Sequence, residues 1–369
     1  MTVISSTDAS GDPAVPHTDA RLAQLERWLG RLFGDTAFSL APASADASFR
    51  RYFRVSRAGQ SWIAMDAPPD KENIEPYIRI ANMLVAVGVN APHILETNLA
   101  EGFLLNSDLG HQTYLAQIDA GADADRLYRD AVAALVQMQA NGQPHARQLP
   151  DYDGALLRRE MALFPEWFCG RHLQLTLNEG ESAGLQQVAE LLVGEALAQP
   201  RVFVHRDYHS RNLMVTDGTR LGPNPGILDF QDAVQGPVTY DLVSLLRDCY
   251  VAWPVERVQG WLLRFHETAR AAGVDVGPDL TVFQRWFDWM GVQRHLKAIG
   301  IFARLWHRDG KPGYLKDIPR TLNYVRVVCA AYPQLLPLRQ LIETRLLPAL
   351  ERAVAATPPA ASAGSVRQQ

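Results

Sequence analysis

The chain has 369 residues, 47% hydrophobic and 21% charged, which excludes a disordered or collagen-like polymer and leaves room for two cored domains or lobes. A formal net charge of −4 gives no general attraction to nucleic acid or to an anionic membrane, so neither is expected as a partner. Cys169, Cys249 and Cys329 lie far apart in apolar surroundings, which excludes a disulfide framework and a C-x-x-C metal pair and predicts buried thiols.

Residues 1–18 are rich in Ser, Thr, Asp and Pro, and a disordered tail is expected there. They carry Asp8 and Asp12 but no Lys or Arg, so they lack the basic start of a secretory signal. No run approaches the ~20 apolar residues that span a bilayer, and the expected location is the cytoplasm. A helix capped at 18–19 and running to 33 carries Leu22, Leu25, Trp28, Leu29 and Leu32 on one stripe. Strands follow at 38–40, 51–55 and 62–65, a helix at 73–87, and strands at 93–96 and 103–105. Beyond residue 110 the pattern turns helical, with helices expected at 124–140, 153–172 and 178–198. After 239, where Thr239 reads as a cap, they are expected at 254–272, 278–308, 318–331 and 335–355. Residues 357–369 read as a loose tail.

The chemistry-bearing letters lie between these halves. An apolar run leads into His205-Arg206-Asp207-Tyr208-His209-Ser210-Arg211-Asn212, and a later one ends in Asp229-Phe230-Gln231-Asp232. An acid, an amide and a second acid, each at a strand end, form the set that phosphoryl transfer needs. A base orients the attacking hydroxyl, while an amide oxygen and a carboxylate hold Mg²⁺ against the nucleotide phosphates. The letters read H-R-D-x-x-x-x-N and then D-F, the pattern of a kinase catalytic loop and its metal-binding Asp. Asp207 is the expected base, and Asn212 and Asp229 the expected Mg²⁺ ligands, with ATP as donor.

Three strands, a helix and two strands is the order of a small kinase N-lobe. The expected fold is therefore α+β, protein-kinase-like and bilobal: a small β-rich, nucleotide-binding N-lobe at 19–108 and a larger, mostly helical C-lobe at 109–356 with the catalytic loop and acceptor site. The hinge falls at 106–110, and Leu105, Ser107 and Asp108 are expected against the adenine.

On these residues the chain resembles the aminoglycoside/choline phosphotransferase-like kinases. The segments 204–215, 228–237, 240–248 and 314–320 are most similar to the bacterial anomeric kinases of cell-wall amino sugars. The resemblance covers most of 20–355. It implies phosphorylation of the C1 hydroxyl of N-acetylmuramate and N-acetylglucosamine during peptidoglycan recycling, a small-molecule sugar partner and no obligate protein partner. It also implies that Asp241 is the buried acid bracing the catalytic loop. His205 is expected to pack under that loop, and Arg211 to meet the transferring phosphate.

The chain departs from the protein-kinase pattern at two linked points. The 62–66 strand has no Lys, and the 73–87 helix has no acid after Glu75. The pair is missing together, which avoids an unpaired carboxylate. The triphosphate is left short of one cation, and at least one of Arg50, Arg51, Arg54, Lys71 or the Ser48 loop is expected to supply a contact. For the acceptor, the basic and aromatic segment 283–314 points to Arg294, His295 and Lys297. Two other readings stand beside the sugar kinase: the same fold acting on an aminoglycoside or amino alcohol, and a non-catalytic nucleotide-binding pseudokinase.

Overall fold

The structure is a computed structural model, and it describes residues 19–45, 49–218 and 221–356. The described residues divide into two compact units, those within 1–74 and 94–108, and those within 75–93 and 109–369.

The smaller unit is an antiparallel five-stranded sheet in the order β1-β2-β3-β5-β4. The strands are β1 (Ser39–Ala45), β2 (Arg51–Arg57), β3 (Gln60–Asp66), β4 (Ile94–Asn98) and β5 (Phe103–Ser107). Alternation along the strands sends Phe53, Val55, Ala64, Phe103 and Leu105 to one face, where Leu25, Trp28 and Leu29 of the Ala20–Phe33 helix cover them. That helix is capped as expected, with Asp19 accepting the Leu22 N–H at 3.1 Å.

The larger unit is built around the 28-residue helix Leu280–His307, which is buried along most of its length. It touches the Glu179–Ala198, Tyr240–Leu246 and Ile318–Ala331 helices and the π-helical turn Phe164–His172. A Cβ at Gly300 would stand 2.5 Å from the Leu163 carbonyl carbon, so only glycine admits this close crossing. Two small sheets sit in the same unit: β6 (Arg201–Val204) with β9 (Val234–Pro237), and β7 (Leu213–Met214) with β8 (Gly226–Ile227).

The elements match the α+β expectation, with four differences, the first being that the helix expected at 153–172 is split into Gly154–Met161 and the π-helical turn Phe164–His172. The helix Glu75–Ala86, expected in the small lobe, belongs to the larger unit, where Tyr77 packs on Phe230 at 4.9 Å between ring centroids. Thr239 does not cap the following helix; its hydroxyl donates to Gln199 Oε1 at 2.7 Å instead. The expected helix at 335–355 is broken into shorter turns from Pro333 to Ala356. Among the described residues, no helix is long and apolar enough to cross a membrane.

Candidate active site

Two pairings bring the loops together. Val204 pairs with Val234, and Leu213 with Ile227, so residues 205–212 are held at both ends by strands. The Leu228 N–H donates to the Asn212 carbonyl at 2.9 Å, extending the second ladder by one step and setting Asp229 beside Asn212. Asp229 then turns with φ 63°, a left-handed conformation that few side-chain-bearing residues adopt.

A single amide ties the three motif residues into one cluster. Asn212 Nδ2 donates to the Asp207 carbonyl at 3.0 Å and to Asp229 Oδ2 at 3.2 Å. Gln231 Nε2 donates to the other Asp229 oxygen at 3.0 Å. The Asp229 carboxylate is thus oriented by two amides. Asn212 has committed its nitrogen, and its oxygen has no partner among the described residues. One carboxylate and one amide oxygen, with no cluster of three or more His, Cys, Asp or Glu among the described residues, is a poor cage for a transition metal. It suits Mg²⁺, which keeps waters and shares its coordination with substrate phosphates.

The loop itself is braced from below. Fully buried Asp241 accepts the His205 N–H at 2.6 Å and the Arg206 N–H at 2.9 Å. Burial pushes its carboxyl up to about 7, against the pull of those donors. Asp248, also fully buried, accepts the Ser210 N–H at 2.9 Å and the Tyr250 N–H at 2.8 Å. His205 is buried beneath the loop, where its Nδ1 accepts the Asp207 N–H at 3.2 Å, and burial pushes its pKa down to about 4. The imidazole is therefore neutral, as an acceptor at Nδ1 requires.

Asp207 stands among cations. Burial would raise its carboxyl, but Lys297, His209, Arg294 and Arg206 outweigh that and hold it below its ordinary range. The carboxylate is ionised and able to accept a hydroxyl proton. Behind it lies buried Glu160, which accepts from Lys297 Nζ at 3.0 Å, from Arg206 and from the Tyr152 hydroxyl. Lys297 Nζ also donates to the Tyr240 hydroxyl at 3.0 Å.

The residues expected at the acceptor are placed differently. Lys297 is engaged by Glu160 and Tyr240, and Arg294, 6% exposed, sits behind the loop beside Cys249. His295 lies in the interior, stacked on Tyr324, with Nε2 2.9 Å from the Arg247 carbonyl. Arg294 and His295 are buried and Lys297 is half-buried, and Lys297 and Arg294 both contribute to the field around Asp207. The Arg211 guanidinium lies over the Tyr250 ring, 3.7 Å from the centroid.

In the smaller unit, Arg51, expected at the nucleotide, is held by Asp66 and Asp19. Arg54 makes a bidentate pair with Asp108 at 2.7 and 3.0 Å. Lys71 lies over the Phe49 ring at 5.0 Å. Leu105 is opposite Ala64 with its side chain in the core, and Ser107 is opposite Trp62 at the strand end. Ser48 lies outside the described residues.

Three residues in the site had no role assigned from sequence: Gln231, Asp248 and Glu160. Gln231 and Asp248 lie inside the segments that carry the family resemblance, and that adjacency was a usable signal. Glu160 is separated from Arg206 and Lys297 by long stretches of chain, and nothing local marks it.

A strand-framed loop offering an acid, an amide and a second acid, carried by a mostly helical unit, defines a kinase-like phosphotransferase. The chain belongs to the phosphotransferase enzyme family, whose profile matches residues 39–274. It is 51% identical over 338 residues to the N-acetylmuramate/N-acetylglucosamine kinase of Pseudomonas putida, covering 89% of this chain and 97% of that one. The Neisseria meningitidis protein of the same name is 44% identical over 326 residues, covering 87% and 95%. Among solved structures, the fold matches a choline kinase from Streptococcus pneumoniae with a TM-score of 0.59 at 9% identity, covering 84% of this chain and 99% of that one. It also matches the GDP complex of aminoglycoside 2'-phosphotransferase-IIIa with a TM-score of 0.55 at 17% identity, covering 85% and 99%.

Proposed function

We propose that this chain is an ATP- and Mg²⁺-dependent kinase that phosphorylates the anomeric hydroxyl of N-acetylmuramate and N-acetylglucosamine, in the cytoplasm, during cell-wall recycling. The names of relatives that align over nearly their whole length support the substrates. The observation that carries the chemistry is the Asn212 amide, bonded at once to Asp207 and Asp229.

Asp207 accepts the proton of the C1 hydroxyl as that oxygen bonds to the γ-phosphorus. The bond from phosphorus to the β-phosphate bridging oxygen breaks, ADP leaves, and the products are the sugar 1-phosphate, ADP and a proton. Asn212 Oδ1 and the Asp229 carboxylate hold the metal, which when bound neutralises charge on the phosphates. Gln231 fixes the Asp229 rotamer, and Asp241 fixes the backbone that carries Asp207. The protein's contribution is positioning and electrostatics, which is where phosphoryl transfer takes most of its acceleration.

The test is phosphate transfer from ATP with N-acetylmuramate, N-acetylglucosamine, choline or kanamycin as acceptor, with product phosphorus coupling read by NMR. Phosphate on C1 of the two sugars is the expected result. Phosphate on choline or kanamycin alone, or on none, overturns the reading.

A further inference from the structure

Arg211 is left over by the chemistry above, and its surroundings form a second cluster beside the loop. Its guanidinium lies 3.7 Å from the Tyr250 ring centroid and 5.6 Å from that of Tyr314. Tyr314 is backed by Phe302, with ring centroids 5.6 Å apart and an interplanar angle of 19°. None of the guanidinium donors has a hydrogen-bond partner among the described residues. Two buried polar atoms nearby are also unspent. His209, 8% exposed and edge-on to Tyr250, has an unpartnered Nδ1. Asp317, 4% exposed and within electrostatic reach of Arg211, has an unpartnered Oδ2, while its other oxygen accepts from Arg320 at 3.1 Å.

Unsatisfied buried polar atoms are costly, and both His209 and Asp317 lie within electrostatic reach of Arg211, so their unspent atoms and its donors are available to one ligand. The chain neighbours diverge: Asn212 turns to Asp229, while Arg211 turns to the tyrosines. A guanidinium held over a ring keeps its planar fork of donors ready for a carboxylate. Tyrosine rings offer faces for sugar C–H groups, and Asp317 Oδ2 accepts a hydroxyl or amide N–H.

We infer that Arg211, seated on Tyr250 and Tyr314, binds the lactyl carboxylate of the muramate, and that His209 and Asp317 take polar groups of the same sugar. This rests on the sugar-kinase reading and assigns its specificity-determining residue. N-acetylglucosamine lacks the carboxylate and uses the site without this contact. The cluster thus sets a preference between the two sugars and leaves both as substrates.

The test measures kcat/KM for N-acetylmuramate, for its lactyl methyl ester and for N-acetylglucosamine, in the full chain. The wild type is expected to favour the acid over the ester by at least about tenfold, since loss of a charge-assisted pair costs on that order. Arg211→Gln should erase that difference, mainly through the KM of the acid, and Arg211→Lys should restore part of it. Melting temperature controls for folding. Tyr314→Leu, which removes a ring that seats the guanidinium, should also narrow the acid-to-ester ratio should Arg211→Gln prove unstable. An equal fall for all three substrates overturns the inference in favour of a phosphate contact. An unchanged ratio in folded Arg211→Gln overturns it as well. A wild type that phosphorylates neither sugar removes the parent reading and this subsite together. Turnover of both sugars without acid-to-ester discrimination removes the subsite alone.

Discussion

Asp241 accepts the backbone N–H of Arg206 at 2.9 Å, at a residue whose φ of 80° puts a side-chain-bearing backbone in the left-handed region. Such a conformation costs on the order of 1–3 kcal/mol and persists only where its surroundings impose it. The imposition is the carboxylate, which also takes the His205 N–H at 2.6 Å. Asp241→Ala leaves both buried N–H groups unpaired, at about 1–3 kcal/mol each. A lowered urea midpoint, a stability loss of about 3 kcal/mol and a fall in turnover are expected. Wild-type stability would contradict the brace.

Asp207→Asn keeps the size of the side chain and removes the proton acceptor. Turnover on either sugar should fall by about 10²–10⁴. Nucleotide binding, followed by calorimetry, should change little. Near-normal turnover would show that another group takes the proton.

Gln231→Ala frees one oxygen of Asp229 from its orienting amide. Supports of this kind contribute about 10–100-fold to metal affinity. The Mg²⁺ concentration for half-maximal rate should rise by about tenfold, with most of the rate recovered at saturating metal. An unchanged Mg²⁺ titration would detach Gln231 from the site.

Glu160 is the anion that Arg206 and Lys297 share. Burial pushes its carboxyl up, yet Lys297 and Arg206 hold it below its ordinary value, so it is ionised. Glu160→Ala strands two partly buried cations, and breaking a buried pair this way costs about 3–5 kcal/mol. The denaturation midpoint should drop accordingly, and Glu160→Gln should lose less. Equal stability of Glu160→Ala and wild type would show that water rescues both cations.

Burial, and next the charge of Arg294, push the His295 pKa down to about 3. The unfolded chain takes up that proton below pH ~6.5 and the native state does not until far lower. The group's contribution is therefore complete above pH ~6.5 and is lost as pH falls, by up to about 1.4 kcal/mol per pH unit. His295→Phe keeps the ring on Tyr324 and removes the titration. Between pH 6 and pH 4.5 the variant's stability should decline less steeply than that of the wild type. Parallel slopes would mean that His295 is protonated in the native protein.

How far the site could be read from letters depended on the range of each interaction. Asp207, Asn212 and Asp229 were legible because strand, loop and strand are local, and the register of β7 with β8 needs only a short chain to close. Asp241 was legible through the family resemblance. Glu160 was not, because its link to Lys297 and Arg206 depends on how three distant segments pack.

By itself the sequence determined the order of elements, the Asp19 cap, the apolar stripe of the first helix and the loop that carries the acid and amide. Those features follow from spacing and local hydrogen bonding. Only the tertiary structure decided where the cations go. The 283–314 segment reads as a basic, aromatic face, yet most of it is a central helix with Arg294 and His295 buried inside the unit and Lys297 half-buried against Glu160. A helix buried on nearly all sides has no polar face to reveal its orientation, so periodicity cannot separate core from ligand platform. Arg51 and Arg54 likewise look available in the sequence, and Asp66, Asp19 and Asp108 claim them only once the sheet forms. At Asp66 and Asp108, whose carboxylates are buried, burial makes the pairing compulsory, because an unpaired charge removed from water costs more than the fold can spare.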